Sequence, residues 1–107
     1  MKTIAPTLLD EAVARLSEAA PKATIILFGS HARGDARADS DLDLLVVEPK
    51  VTSRRREMVR LMDVLRPLRL PVDLLVVSRQ LFEEWADTPG TVIYQAAKEG
   101  KVLRAAA

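Results

Sequence analysis

A chain of 107 residues, 49% hydrophobic and 29% charged, has the length of one domain and enough apolar surface for one modest core, which excludes a disordered polar tract. Sixteen Lys and Arg against fifteen Asp and Glu leave a net charge of +1, too small for a global pull toward nucleic acid, so no direct nucleic-acid partner is expected. No apolar run reaches the roughly 18 residues of a membrane span, the opening MKTIAPTLLDEAV carries acids where a signal peptide would be apolar, and the absence of cysteine excludes disulfides and thiolate metal sites and suits a reducing cytoplasm.

Thr7-Leu8-Leu9-Asp10 reads as a helix cap followed by an acid in the first turn, and Leu8, Leu9, Ala12, Val13, Leu16 and Ala20 then follow helical spacing until Pro21. Ala23 to Phe28 is a short β-branched apolar run, hence a buried strand. Gly29 to Ser40 is polar, either a loop or a loop holding one short helix. Asp41 to Val47 reads as the second strand, ended by Glu48-Pro49. From Ser53 to Leu68, the residues Met58, Leu61, Met62, Leu65 and Leu68 trace one helical face. Val72 to Val77 is a third strand, Ser78 caps a short helix through Trp85, and Thr88-Pro89 starts a last helix that Gly100 stops. Val102-Leu103 is a candidate edge strand. This order predicts an α/β fold, a small mixed sheet with helices packed on it, in one domain over residues 1–107. The helical crossover between the second and third strands is long enough for a parallel pair; spacing leaves the direction of the first strand open. Charge is uneven, with seven Lys or Arg against two acids between Lys50 and Arg69; within it the Arg54-Arg55-Arg56 run reads as a solvated helix start rather than a binding site.

Three acids stand on apolar strands. Asp41 and Asp43 share one strand face, with Cα atoms roughly 6.5 Å apart. An Asp-x-Asp alone is commonly a solvated strand edge. Asp73, near the start of another apolar strand, changes the reading: if that strand neighbours the second, a third carboxylate joins them. Oxygen-only ligands suit Mg²⁺ or Mn²⁺, and three carboxylates can hold two cations about 4 Å apart, as in phosphoryl and nucleotidyl transfer. Gly29-Ser30 fits the same chemistry: glycine admits close approach of the backbone, N–H groups at a strand-to-helix turn attract anions, and the Ser hydroxyl adds a donor. Arg33 either forms a structural ion pair or meets a phosphate. His31, the one histidine, reads as a loop or nucleotide-contact residue rather than a metal ligand.

Gly29-Ser30, ten intervening residues and then Asp41-Leu42-Asp43 resemble the signature of the DNA polymerase β-like nucleotidyltransferase superfamily. The string GSHARGDARADSDLDLLVV is similar to that of the minimal nucleotidyltransferases, small prokaryotic domains often encoded beside a HEPN-domain protein. The resemblance extends from the leading helix through Asp73 to the closing AAKEGKVL. It implies a polymerase β-like core, with Asp41 and Asp43 as metal ligands and Asp73 completing the site and helping to deprotonate the attacking hydroxyl. It places Gly29, Ser30 and Arg33 at the nucleotide and Mg²⁺ or Mn²⁺ as cofactor. It also implies transfer of AMP from ATP to a hydroxyl, often a tyrosine of a HEPN toxin, by a protein acting as antitoxin. Many relatives end in a tyrosine where this chain has Arg104. Larger relatives add a helical domain that completes the acceptor pocket, and its lack here favours a protein acceptor. The other readings are an antitoxin that masks its HEPN partner without turnover and transfer to a small molecule or a nucleic-acid end; a homo- or hetero-oligomer stays open.

Overall fold

The structure is a computed structural model that describes residues 6–37 and 40–106; the first five residues of the leading segment and residues 38 and 39 of the polar connection lie outside them. Helix α1 (Pro6–Ala19) leads to strand β1 (Thr24–Phe28), the one-turn helix α2 (Ser30–Arg33) and strand β2 (Leu42–Glu48). Helix α3 (Arg54–Leu65) runs into a 3₁₀ turn at Arg66–Leu68 and is followed by strand β3 (Val72–Ser78), helices α4 (Arg79–Trp85) and α5 (Val92–Glu99) and strand β4 (Lys101–Arg104). The four strands lie in the order β3-β2-β1-β4. Strand β2 runs parallel to β3 and antiparallel to β1, so the expected parallel pair is present and the open direction of β1 is antiparallel.

Layering follows from strand parity. Leu42, Leu44 and Val46 of β2 and Leu74 and Val76 of β3 join Ala12, Leu16, Leu61 and Leu65 of α1 and α3 in one buried cluster. Leu45, Val47 and Val77 turn the other way and meet Ala96, with Leu81, Phe82 and Ile93 of α4 and α5 packed around them. As β2 is central and covered on both faces, its near-continuous apolar run is what the position requires.

Several boundaries differ from the sequence reading. Thr7 lies inside the first turn of α1, because the helix begins at Pro6, a residue whose fixed φ suits the first helical position. Asp41 stands just outside β2. The last helix begins at Val92 rather than Pro89, capped by Thr91, which accepts from the Tyr94 N–H at 3.0 Å; Gly90, at φ 88°, turns the chain out of a helical path. Gly100 does end α5, but at φ −73° and ψ 162° it is no left-handed cap. A Cβ there would overlap the Ala96 carbonyl and Ile26, so glycine lets the helix end sit on β1. The Ser78 cap is as expected, accepting from the Leu81 N–H at 3.1 Å, and Ser53 caps α3 in the same way, accepting from the Arg56 N–H at 3.3 Å.

Arg104 has a role that no local pattern signals. Its guanidinium donates to the carbonyls of Ala20, Pro21 and Ala23 at 3.3, 2.7 and 3.5 Å, fastening the last strand to the turn after α1. Arg104→Ala should lower stability by about 1.5–3 kcal/mol, the range for a hydrogen bond to a charged group, read by urea unfolding; Arg104→Lys, a point donor without the fork, should recover only part.

A second cluster ties β2 to α3. Burial pushes the Glu48 carboxyl up to about 7, helped by its hydrogen bond and like-charge contact with Glu57. Two bonds from Arg60, at 2.8 and 2.6 Å, hold the Glu57 carboxylate well below its usual range. Glu48 Oε2 is buried and, among the described residues, has no hydrogen-bond partner, which favours the protonated form. Between pH 4.5, the ordinary glutamate value, and about 7 the folded chain holds a proton at Glu48 that the unfolded chain has lost, so stability falls as pH rises through that window. Glu48→Gln keeps a donor toward Glu57 and cannot ionise. Unfolding titrations at pH 5 and pH 8 should show a smaller loss for this variant than for wild type.

Candidate active site

In the parallel pair, Asp43 lies in register with Asp73, and adjacent strands are about 4.8 Å apart. Both residues have the parity of Leu45, Val47, Leu75 and Val77, so they belong to the sheet face that α4 and α5 cover at its other end. The acid end is left open: Asp43 is half-buried, and Asp41 and Asp73 are exposed. Asp41 adjoins them from just before β2, its backbone flanked by the Leu42 N–H, which donates to the Pro71 carbonyl at 2.7 Å.

Gly29 closes the site from the β1 side. Phe28 pairs with Asp43 across the antiparallel ladder, which brings the next residue over the Asp43 side chain. Gly29 has φ 74° and ψ −156°, a region essentially confined to glycine, and a Cβ there would overlap Asp43 Oδ2. The sequence shows a glycine before a serine; that the glycine makes room for a carboxylate of another strand is a long-range fact that only the fold supplies. The Gly29 carbonyl accepts from the Ala32 and Arg33 N–H groups at 3.1 and 3.0 Å, starting α2 with no side-chain cap and setting half-buried Ser30 at its first position. Of the two readings open for the polar connection, a loop or a loop holding one short helix, the second is the one found.

Burial raises the Asp43 carboxyl above the usual aspartate range, and the charges of Asp73 and Asp41 raise it further; His31 and Arg33 pull it back. Asp41 and Asp73 thus both act on Asp43, which lies within electrostatic reach of His31 and Arg33 of α2 as well. Arg33 itself pairs with Asp35 at 3.3 Å on the surface. His31 lies against the loop before β2, its Nε2 3.2 Å from the Ser40 carbonyl, a contact the sequence reading missed because nothing local links positions 31 and 40.

The donor set suits a divalent cation in one respect and limits it in another. The acids present only hard oxygen atoms, and their mutual repulsion at Asp43 is the kind a cation relieves. Yet among the described residues no group of three His, Cys, Asp or Glu side chains is arranged to hold a metal by itself. Mg²⁺ commonly takes one or two carboxylates and completes its shell with substrate phosphates and water, so an acid pair beside the Gly29-Ser30 turn fits such an ion where an all-protein cage would not.

A family described as "Nucleotidyltransferase domain" matches residues 9–103, and the chain belongs to it. A structure described as a candidate minimal nucleotidyltransferase is similar at 34% identity, with a TM-score of 0.57 and coverage of 89% of this chain and 91% of that one. A candidate nucleotidyltransferase from Sulfolobus solfataricus matches at 23% identity and a TM-score of 0.60, over 90% of this chain and 76% of that one. A toxin-antitoxin structure with AMP-PNP matches at 23% identity and a TM-score of 0.62, over 90% of this chain and 73% of that one. No curated protein matches. The class is thus nucleotidyltransferase, on the mixed α/β core that the sequence reading expects. Among the described residues no helix is long and apolar enough to cross a membrane.

Proposed function

We propose that the chain transfers AMP from ATP to a hydroxyl, in the first instance a tyrosine, of a HEPN-type toxin, and so acts as its antitoxin. The observation that carries this reading is the register of Asp43 with Asp73 on an open sheet face, beside a glycine whose backbone meets the Asp43 carboxylate. The family assignment supports the transfer, and the toxin-antitoxin neighbour with AMP-PNP supports the nucleotide and the setting.

Asp41 and Asp43 would hold Mg²⁺ or Mn²⁺, with Asp73 completing the site. When bound, the metal supplies charge neutralisation for the triphosphate. Gly29 lets the backbone approach the phosphates, and the Ser30 hydroxyl donates to a phosphate oxygen, with Arg33 as a further cation there. Asp73, exposed at the edge strand, accepts the proton of the acceptor hydroxyl as its oxygen bonds to the α-phosphorus; the bond from that phosphorus to the bridging oxygen breaks, and pyrophosphate leaves. The adduct is a phosphodiester that brings negative charge and bulk to the acceptor, enough to repel RNA phosphates if that hydroxyl lies near a ribonuclease site.

A protein acceptor is supported by the surface next to Asp73. Leu75 lies two residues farther along the same face, and with Val77, Leu81, Trp85, Val92 and Ile93 it lines a groove of about 400 Å³. Trp85 and Val92 remain 43% and 45% exposed, apolar area that a docked protein would cover. The test is co-expression of a HEPN protein encoded beside this chain, followed by intact mass measurement. One or more added AMP units with wild type, and none with the Asp41→Asn, Asp43→Asn double variant, are expected. Full neutralisation by the double variant without added mass would establish masking instead.

A further inference from the structure

We propose that His31 is a positioning residue of the candidate site, setting Asp41 beside Asp43 through the Ser40 carbonyl; the inference rests on the metal-site reading above. Asp41 has no place in the β2 ladder, so strand pairing does not fix it. Two contacts bracket it instead. On its C-terminal side the Leu42 N–H donates to the Pro71 carbonyl at 2.7 Å. On its N-terminal side His31 Nε2 lies 3.2 Å from the Ser40 carbonyl. A carbonyl only accepts, so the ring carries its proton on Nε2 in this contact.

Ser40 is in turn fastened locally: its N–H donates to the Arg37 carbonyl at 3.0 Å, and its Oγ accepts from the Arg37 N–H at 2.8 Å. These bonds shape the turn but do not attach it to the rest of the molecule. His31 does so, and from a telling place. It follows Ser30 on α2, so one ring ties the Gly29-Ser30 turn to the loop that delivers Asp41. The nucleotide side and the metal side of the site are held in a fixed relation by that bond. Without it, among the described residues, the Asp41 backbone keeps an anchor on one side only, and cation binding must order the carboxylate as well as occupy it.

The experiment follows Mn²⁺ binding to the full chain in the presence of AMP-PNP by electron paramagnetic resonance, with no turnover required. His31→Leu should weaken Mn²⁺ binding about tenfold, whereas His31→Gln, which returns an N–H at similar reach, should stay within about threefold of wild type, on the scale set by residues that orient metal ligands. In an Asp41→Asn background, His31→Leu should cause no further loss, because the two substitutions then remove one shared effect. A merely structural histidine would instead cost the same in both backgrounds. Wild-type affinity in His31→Leu, equal weakness of the Gln and Leu variants, or a full additional loss on top of Asp41→Asn would each overturn the proposal. Wild type that binds no Mn²⁺ would remove the metal-site reading itself and the inference with it, an outcome visible before any substitution is made.

Discussion

Replacing Asp43 with asparagine should lower nucleotidyl transfer by about 10²-fold or more, since it removes a charged oxygen from the centre of the proposed metal site. The fold should survive, and the apo protein should become slightly more stable near neutral pH. The sign follows from the electrostatics. Burial together with Asp73 and Asp41 raises the folded-state carboxyl above the ordinary 3.8, so the folded chain holds its proton more tightly than the unfolded one. Stability therefore declines as pH climbs from that ordinary value through the folded one, and at neutral pH the carboxylate is a net cost. Asparagine fills the same space without the charge. Magnesium-dependent pyrophosphate release and thermal unfolding, measured on the same preparation, check both halves. A variant with wild-type rates would remove Asp43 from the site. A variant that melts far below wild type would mean that its carboxylate is structural.

The second large effect belongs to Gly29→Ala. Two independent penalties fall on this position. The backbone conformation, φ 74° and ψ −156°, costs a residue with a Cβ on the order of 1–3 kcal/mol, and the Cβ would run into Asp43 Oδ2. Relief requires either a change of backbone, which moves Ser30 and α2, or a rotation of the Asp43 carboxylate out of line with Asp73. Both routes damage the candidate site, so activity should fall along with stability. In Gly29→Ala combined with Asp43→Ala the overlap is gone, and the stability loss should shrink toward the backbone cost alone. If the double variant is as unstable as the additive sum of the singles, the contact is not the cause.

What could be read in advance divides by the range of the interaction. Alternation along β2 and β3 gives Asp43 the parity of Leu45 and Asp73 that of Leu75, and the crossover through α3 is long enough for a parallel pair; that the two strands are neighbours, in register at the two acids, is supplied by the fold. Like the alternation, the helix cap at Ser78 is local. The antiparallel direction of β1, by contrast, depends on how α1, α2 and the sheet pack together, and no periodicity encodes it. The same holds for Gly29 against Asp43, for Arg104 on the carbonyls of Ala20, Pro21 and Ala23, and for His31 on Ser40. Thr88-Pro89 shows a different failure: a plausible cap and proline were overruled two residues later, where Gly90 bends the chain and Thr91 caps the actual helix. Local signals competed there, and the positive φ decided between them.

Locating a cation directly tests the central claim, that Asp41, Asp43 and Asp73 with the Gly29-Ser30 turn form one metal and nucleotide site. Crystals grown with Mn²⁺ and AMP-PNP, measured at the manganese absorption edge, would show where the metal sits from its anomalous signal alone. The account predicts a peak within about 2.5 Å of carboxylate oxygens, allowing for a hard cation's usual oxygen distances, at Asp43 and at least one of Asp41 and Asp73, with the triphosphate against Gly29 and Ser30. A peak at the Glu48 and Glu57 pair, or a triphosphate bound away from the turn, would contradict it.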